Sequence, residues 1–316
     1  MGIDFSPFSF QAVFNTFVSM KADHLTLCPQ ELETRVLHGY LLSAVGPRPI
    51  ALASTVDAEG NPNLAPFSFF NVFSANPPVL IFSPARRVRN NTTKHTLENV
   101  LQTMEVVINV VTYDIVQQMS LASTEYDRDI NEFDKAGFTM LASEDVRPYR
   151  VGESPVQFEC RVTKVEPLGQ DGGAGNLIFS EVVRMHIDKN ILNEDHRIDP
   201  LQLDLVGRMG GNWYNRSSPG LFEVPKPLAS KGVGVDAIPE AIRGSSVLTG
   251  NDLGKLGNIQ KIPTESEVRA FVAEEADVHS LLESGDLMGI HEKARAYLKE
   301  HNTEAAWKLL LAPGLE

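Results

Sequence analysis

Cysteine is scarce in this chain, which has only Cys28 and Cys160 among its 316 residues. Two isolated cysteines exclude a disulfide framework, and their separation does not fit the paired Cys-x-x-Cys spacing of a zinc site. The eight histidines form no His-x-x-x-His or His-Glu-x-x-His pattern either. The sequence therefore predicts no metal site, and a reducing cytoplasm is the expected compartment.

Long hydrophobic runs and an excess of basic residues are also lacking. Residues 1–24 carry an apolar stripe but no basic start, and the run between Asp4 and Lys21 is too short and polar to span a bilayer. We read this segment as a packing helix with no targeting or membrane-spanning role. The formal net charge of -13 would repel nucleic-acid phosphates and anionic lipids. A soluble globular protein with neither nucleic acid nor a membrane as partner is therefore expected.

Two common catalytic signatures are missing as well. No Gly-x-Ser-x-Gly elbow occurs, so nothing local supports a hydrolytic triad. The glycines of "QDGGAG", residues 170–175, lie between two β-rich runs, whereas a dinucleotide fingerprint opens a helix. This segment is predicted to be the tip of a hairpin.

What is present in the first two thirds of the chain is a series of β-compatible runs. "RPIALASTV" ends in the turn formers "DAEGN" and leads to "PNLAPFSFF", after which "PPVLIFSPA" and "EVVINVVT" predict further strands. "SPVQFECRVTKVEPLG" and "NLIFSEVVRMHID" alternate in polarity on either side of the predicted hairpin tip. Because no regular strand-helix-strand alternation occurs, we predict an all-β core whose antiparallel sheet closes as a barrel.

Helical spacing appears between the strands and again near the end of the chain. "NNTTKHTLENVLQTM" predicts a helix, and "DIVQQMSLAS" predicts another that is capped by Asp114. The Gly- and Pro-rich residues 226–264 are expected to form an extended arm on a surface. Residues 265–316 regain helical spacing and predict a helical tail.

Polar residues interrupt the first three predicted strands, at positions where a plain core would prefer Val or Leu. Taken singly, such residues usually face solvent. Taken together, and beside Phe67, Phe69, Phe70 and Phe73, they predict a cleft with an aromatic floor that suits a flat heteroaromatic ligand. The polar residues concerned are Ser54, Thr55, Ser68, Asn71 and Ser83.

A cation and a helix start lie close to this cleft in sequence. Free N–H groups at a helix N-terminus, together with a cation and hydroxyls, favour a phosphate. Arg48, Lys94 and Thr96 are the candidates for this anion-binding half of the site. Taken alone, Lys94 fits a solvated surface lysine better than a phosphate ligand.

These residues resemble the flavin reductase-like proteins with an FMN-binding split barrel. The segments "RPIALASTVDAEGNPNLAPFSFFN", "PPVLIFS", "KHTLEN" and "LVGRMGGNWY" match that family in residue type, order and spacing over residues 35–225. The usual Lys-Asp-Thr of the family is Lys94-His95-Thr96 in this chain, so the role of His95 stays open.

The resemblance implies a homodimer of antiparallel, Greek-key-like split barrels with flanking helices and FMN near the subunit interface, with FAD as the alternative flavin. It assigns residues 35–225 to an FMN-binding domain, and the sequence pattern places an N-terminal helical segment (1–34), the arm (226–264) and the tail (265–316) outside it. It assigns Gly207–Tyr214, a segment that includes Trp213, to a wall of the pocket. The implied cofactor-binding residues are Arg48, Ser54, Thr55, Ser68, Phe69, Phe70, Asn71, Ser83, Lys94, Thr96, Asn99 and Trp213.

The resemblance also implies a cytoplasmic NAD(P)H-dependent flavin oxidoreductase. NAD(P)H would deliver a hydride to N5 of the flavin, and the electrons would pass to oxygen, free flavin, iron or a partner monooxygenase. Because the flavin carries the redox chemistry, no catalytic side chain is predicted. Two other hypotheses stay open, an FMN carrier without physiological NAD(P)H activity and a purely structural barrel that takes up no flavin.

Overall fold

In a computed structural model of the protein, residues 24–224 and 231–315 are described in full and Ser19–Lys21 by its backbone. The chain divides into two compact units, Met1–Leu221 and Phe222–Glu316. None of the helices in these described ranges is both long and apolar enough to cross a membrane.

The first unit is built mainly from β-strands. Its strands are β1 (Ser19–Lys21), β2 (His24–Thr26), β3 (Ala51–Val56), β4 (Pro62–Phe67), β5 (Phe70–Ala75), β6 (Pro78–Phe82), β7 (Glu105–Val110), β8 (Met140–Leu141), β9 (Arg150–Val151), β10 (Val156–Pro167), β11 (Asn176–Ile187), β12 (Val206–Arg208) and β13 (Tyr214–Arg216). Its helices are α1 (Thr34–Ala44), α2 (His95–Thr103), α3 (Val116–Leu121), α4 (Glu132–Ala136) and α5 (Pro200–Leu203).

Seven strands form one antiparallel sheet in the order β4-β3-β7-β10-β11-β6-β5. Only Ser68 and Phe69 separate β4 from β5, although these strands stand at opposite ends of that order. Three Cα steps span at most about 11 Å, so the two ends of the sheet must approach each other. The sheet therefore curls round as a split barrel, and the predicted fold class is confirmed.

The strand predicted over "PNLAPFSFF" is in fact divided. β4 ends at Phe67, and β5 starts at Phe70 and pairs with β6 across the turn at Asn76 and Pro77. The alternation of apolar residues continues through the break, so the sequence pattern could not mark it. Pro66 is tolerated within β4 because an edge strand has one side on which no ladder donor is needed.

Both faces of β3 are covered, which explains why its burial is complete. Ala51 and Ala53 pack with Leu97 and Val100 of α2. On the other face, Leu52 belongs to a cluster built mainly from residues of α3, α4 and the segments near them. This strand therefore gives α2 a rigid base.

The long hairpin predicted on either side of "QDGGAG" is confirmed, since β10 pairs with β11 from Val156↔Ile187 to Pro167↔Asn176. At its tip Gly173 adopts a φ of +95°, a conformation that other residues rarely reach.

One helix prediction for the first unit was wrong, and another lies almost wholly outside the described residues. The helix predicted to be capped by Asp114 begins instead at Val116, after a 3₁₀ turn over Tyr113–Ile115, so the capping prediction was wrong. The packing helix predicted over residues 1–24 lies almost wholly outside the described residues, and Ser19–Lys21 pairs with His24–Thr26 as a short hairpin. Helix α1 was not predicted.

The second unit is helical, as predicted for the tail. Its helices are α6 (Glu240–Arg243), α7 (Gly250–Gly257), α8 (Glu265–Glu274), α9 (Ala276–Glu283), α10 (Leu287–Lys299) and α11 (Thr303–Leu311). A buried cluster joins these helices around the fully buried Trp307, and α8 contributes the partly buried Phe271 and Val272 to it. The Trp307 indole Nε1 donates to the Leu256 carbonyl at 2.9 Å.

The extended arm predicted over residues 226–264 is not what the structure describes from residue 231 onwards. Ile242 and Leu256 are buried in the core of the second unit. A capping box between Thr249 and Asp252 starts α7. The sequence prediction failed because these helical turns are too short to reveal a period, and their stability comes from burial against the later helices.

Candidate functional site

A network of four buried polar side chains fixes the start of α2 against the barrel. The Asn63 amide Nδ2 donates to Thr55 Oγ1 at 3.2 Å and to Thr96 Oγ1 at 3.0 Å. Asn99 Nδ2 donates to the same Thr55 hydroxyl at 3.2 Å. The structure thus brings together Thr55, Thr96 and Asn99, three of the predicted site residues, and sequence reasoning had missed Asn63.

A small cavity of about 60 Å³ opens beside this network. That volume accommodates about four water molecules, which is comparable with the five atoms of a phosphate group. We call it the α2 cavity. Its lining residues are Asn63, Ala65, Pro66, Arg87, Lys94, His95, Thr96, Ala122, Ser123, Thr124, Glu125, Tyr126 and Glu132.

Lys94 is the cation at the N-cap of α2, and its side chain makes no cap hydrogen bond. Burial and the neighbouring Arg87 charge lower the pKa of Lys94, and Glu125 opposes this shift only in part. Within the ranges that the structure describes, Lys94 forms no ion pair. A half-buried ammonium beside the free N–H groups of a helix start is well placed to receive an anion.

His95, the residue where the usual motif has aspartate, also lines the α2 cavity. Burial is the main cause that lowers the pKa of His95, followed by the charge of Arg128. The imidazole is therefore neutral at pH 7, whereas an aspartate would place a negative charge at the same point.

Three charged residues form a cluster at the border of the α2 cavity. Glu125 lies 3.2 Å from Arg87 Nε through Oε1 and 2.9 Å from Arg89 Nη2 through Oε2. Partial burial acts to raise the pKa of Glu125, but the two arginines outweigh it and hold that pKa below its usual range. Sequence reasoning missed this cluster, although the basic run "PARRVR" directly after the third predicted strand was a usable signal.

Glu132 is a buried carboxyl group that also borders the α2 cavity. Its Oε2 accepts a hydrogen bond from the backbone N–H of Leu64 at 3.0 Å, so it satisfies a donor of β4. Burial raises the pKa of Glu132. No sequence signal distinguished this residue from the exposed acids around it.

Arg48 is buried in a different part of the unit from the α2 cavity lining. Its guanidinium donates to the carbonyls of Leu42 and Val45 near the end of α1 and, at 3.1 Å, to the carbonyl of Met209. Its Nε also reaches Ser68 Oγ at 3.4 Å. Arg48 therefore links α1 to the segment that holds Trp213.

That segment borders a second, more open cavity of about 570 Å³. Trp213 is 77% exposed there. A Cβ atom on Gly210 would lie only 2.3 Å from Ser43 Oγ, so the close approach of this segment to α1 requires glycine. The lining residues are Ser43, Met209, Gly210, Gly211, Trp213, Tyr214 and Asn215.

The remaining predicted site residues belong to neither cavity lining. Ser54 and Ser83 are buried, and neither hydroxyl has a hydrogen-bond partner among the described residues. Phe70 is half-buried against the barrel core. Phe69 and Asn71 are exposed, and the Asn71 side chain accepts from the backbone N–H of Val72.

This chain is similar to several known proteins. Residues 44–206 match the model of the flavin reductase like domain. An uncharacterized protein of Aquifex aeolicus is 37% identical over 185 residues, which are 58% of this chain and 92% of that protein.

Two solved structures are similar in both sequence and fold. Nitrilotriacetate monooxygenase component B from Bacillus cereus is 27% identical with a TM-score of 0.59, and the match covers 65% of this chain and all of that one. A flavin reductase with a split barrel domain from Shewanella frigidimarina is 29% identical with a TM-score of 0.54, over 63% of this chain and 96% of that one. Because the domain model spans more than half of the chain, this protein belongs to the flavin reductase-like family of split-barrel flavoproteins.

Proposed function

We propose that this protein binds FMN and reduces it with NAD(P)H, and that the electrons pass to an acceptor or to a partner oxygenase. Membership of the flavin reductase-like family supports the flavin and the reaction class. The similarity to a protein named as component B of a monooxygenase supports the partner oxygenase.

The environment of Lys94 is the observation that supports FMN over a flavin without a phosphate group. Its ammonium is half-buried, it forms no ion pair within the described ranges, and it borders a phosphate-sized cavity at the start of α2. A dianionic phosphate would remove the cost of burying this charge and would accept from the helix N–H groups.

The polar atoms that lack partners also fit the proposed cofactor. The hydroxyls of Ser54 and Ser83 and Oδ1 of Asn99 are buried without a hydrogen bond in the described part of the chain. Buried polar groups normally have partners, and the flavin ring edge and ribityl chain carry donors and acceptors that could supply them. Lys94, Arg87 and the first N–H groups of α2 would hold the phosphate end.

Bound FMN would supply the hydride-accepting centre, so the chain needs no nucleophile or general base of its own. The task of the residues around it is to bind, orient and tune the cofactor. Among them, the neutral His95 spares the phosphate the repulsion that an aspartate would cause. We assign Arg48 and the Trp213 segment to shaping a wall of the site, with Ser68, Phe69, Phe70 and Asn71 at its aromatic side.

We also propose a homodimer. α1 buries none of its residues within the chain, and Leu41 on it and Val45 directly after it are 52% and 61% exposed. Val72 and Phe73 on the edge strand β5 are each 64% exposed. These exposed apolar side chains on and beside α1 and on β5 support contact with a second copy of the chain. Light scattering coupled to size-exclusion chromatography should give about twice the chain mass of 34.8 kDa.

The direct test is anaerobic reduction of the reconstituted protein. Purified protein is loaded with FMN or FAD, oxygen is removed, and NADH or NADPH is added in separate runs while the visible flavin absorption is followed. Rapid bleaching with one donor supports the reductase and identifies that donor. A flavin band that persists with both donors supports the carrier instead, and a protein that takes up no flavin contradicts both.

Lys94→Ala tests the phosphate assignment within the same preparation. We expect the Kd for FMN to rise by at least about tenfold, since a charge-assisted contact to phosphate contributes about 1.5–3 kcal/mol. The thermal unfolding midpoint should change little because Lys94 has no ion pair to lose in the described residues. An FMN titration that matches the wild-type protein would contradict the assignment.

A further inference from the structure

Glu125 is an acidic residue in the place where the proposed function requires a phosphate. Its carboxylate forms an ion pair with Arg87 Nε at 3.2 Å, without the alignment of a hydrogen bond, and accepts a hydrogen bond from Arg89 Nη2 at 2.9 Å. It lines the same cavity as Lys94 and lies near enough to act on the charge of Lys94. One carboxylate thus already balances part of the positive charge that a phosphate would use.

A phosphomonoester carries about -1.5 to -2 charges at pH 7 and is attracted to arginine as a carboxylate is. A phosphate in the α2 cavity must therefore either separate Glu125 from Arg87 or bind next to an ionised carboxylate. Either arrangement weakens binding, through a lost ion pair in the first case and like-charge repulsion in the second.

Exposure favours the first of these arrangements. The Arg87 side chain is only 17% exposed, whereas those of Glu125 and Arg89 are 46% and 77% exposed. Arg87 is therefore the fixed cation, and Glu125 can turn towards solvent with Arg89. The other acid on the cavity lining, Glu132, is held by the Leu64 N–H and is not available as a competitor.

We propose that Glu125 competes with the flavin phosphate for Arg87 and so weakens FMN binding and speeds FMN release. This inference rests on the proposed function, because it takes the phosphate of FMN as the ligand. It adds a residue that sets the affinity of the site for the flavin phosphate.

The test compares full-length wild-type protein with Glu125→Gln, which keeps the shape of the side chain and removes its charge. Glu144→Gln is the matched control, because Glu144 is an exposed acid that pairs with Arg184 at 3.2 Å and lies outside both cavity linings. Kd and dissociation rate are measured by fluorescence for FMN and riboflavin, and the Kd of inorganic phosphate by calorimetry.

We expect Glu125→Gln to bind FMN and inorganic phosphate about tenfold more tightly, with most of the change for FMN in a slower dissociation rate. Riboflavin, which has no phosphate, should bind as it does to the wild-type protein, and Glu144→Gln should alter none of these values. Equal tightening for riboflavin would overturn the proposal, because the effect would then not act on the phosphate.

Unchanged or weaker FMN binding by Glu125→Gln would also overturn the proposal, since Glu125 would then be inert or would orient Arg87 for the phosphate. That result leaves the proposed function intact. If FMN binds to no variant while inorganic phosphate still binds Glu125→Gln more tightly, the competition at Arg87 stands and FMN binding as the proposed function fails.

Discussion

Arg48 is a buried cation and Lys94 a half-buried one, and their surroundings differ. The guanidinium of Arg48 donates to three backbone carbonyls, from Leu42, Val45 and Met209, whereas Lys94 forms no ion pair in the described ranges. An ammonium group cannot reproduce the planar set of donors of arginine. We therefore expect Arg48 to act mainly on stability and Lys94 mainly on anion binding.

Arg48→Ala should lower the free energy of unfolding of the first unit by about 3 kcal/mol, because it leaves buried carbonyls without donors. Urea denaturation followed by far-UV circular dichroism measures the change. Arg48→Lys should recover only part of it. A loss below about 0.5 kcal/mol in Arg48→Ala would show that the carbonyls find other donors, and Arg48 would then be free to serve a ligand.

Glu132 should make stability depend on pH. Its pKa in the folded protein is raised above the unfolded value near 4.5 because its carboxyl group is buried. The cost of the buried charge is therefore absent below the unfolded pKa, where both states are neutral, and it grows as the pH rises through the folded pKa.

Glu132→Gln should therefore stabilise the protein by about 1 kcal/mol at pH 7 and by less as the pH falls towards 4. The amide oxygen of Gln can still accept from the Leu64 N–H. Chemical denaturation at several pH values measures the difference, with the exposed turn variant Glu59→Gln as the control. A gain in stability that stays constant between pH 7 and pH 4 would contradict the role of the buried charge.

At the scale of elements, β10 and β11 do more than form the long hairpin, because they also anchor the chain that follows β8. Glu159 on β10 is fully buried, and its carboxylate accepts from the backbone N–H groups of Glu144 and Asp145 and from His186 Nε2. Burial alone would raise the pKa of Glu159, but these donors outweigh it and the pKa is lowered.

Glu159→Ala should cost about 4 kcal/mol at pH 7, since it leaves two backbone donors and an imidazole without their buried acceptor. The stabilisation by Glu159 is fully present above its unfolded pKa and is lost as the pH falls through its folded pKa. The difference in the free energy of unfolding between wild type and variant, measured by urea titration, should therefore become smaller in acid. A gap that is constant from pH 7 to pH 3 would exclude the carboxylate as its cause.

At the scale of the whole molecule, the chain contains two compact units with separate hydrophobic clusters. Each unit carries one of the two tryptophans, with Trp213 77% exposed in the first and Trp307 fully buried in the second. The emission of a buried indole changes strongly on unfolding, and that of an exposed indole changes little. Tryptophan fluorescence therefore reports mainly on the second unit.

We expect urea unfolding to show different midpoints by tryptophan fluorescence and by flavin release, because the two probes follow different units. Trp213→Phe should leave the fluorescence transition nearly unchanged, whereas Trp307→Phe should remove most of it. Transitions that coincide for every probe would show that the two units unfold as one.

Much of the first unit could be predicted from the sequence, because apolar and polar residues alternate along its strands within short windows. The β10 and β11 hairpin, β7 and α2 all follow from periods that a short window contains. The break between β4 and β5 could not be predicted, since apolar alternation continues across Ser68 and Phe69. In the second unit, α6 and α7 were missed because they have too few turns to show a helical period.

The sequence by itself determined the antiparallel strands, the helical tail and, through the motifs around Arg48, Lys94 and Trp213, the family. Only the tertiary structure decided which of these residues meet. It places Arg48 on backbone carbonyls and joins Arg87 and Arg89 to Glu125 across more than thirty residues of chain. Periodicity and propensity are local properties, whereas these contacts depend on how the sheet curls and how α2 and α3 pack on it.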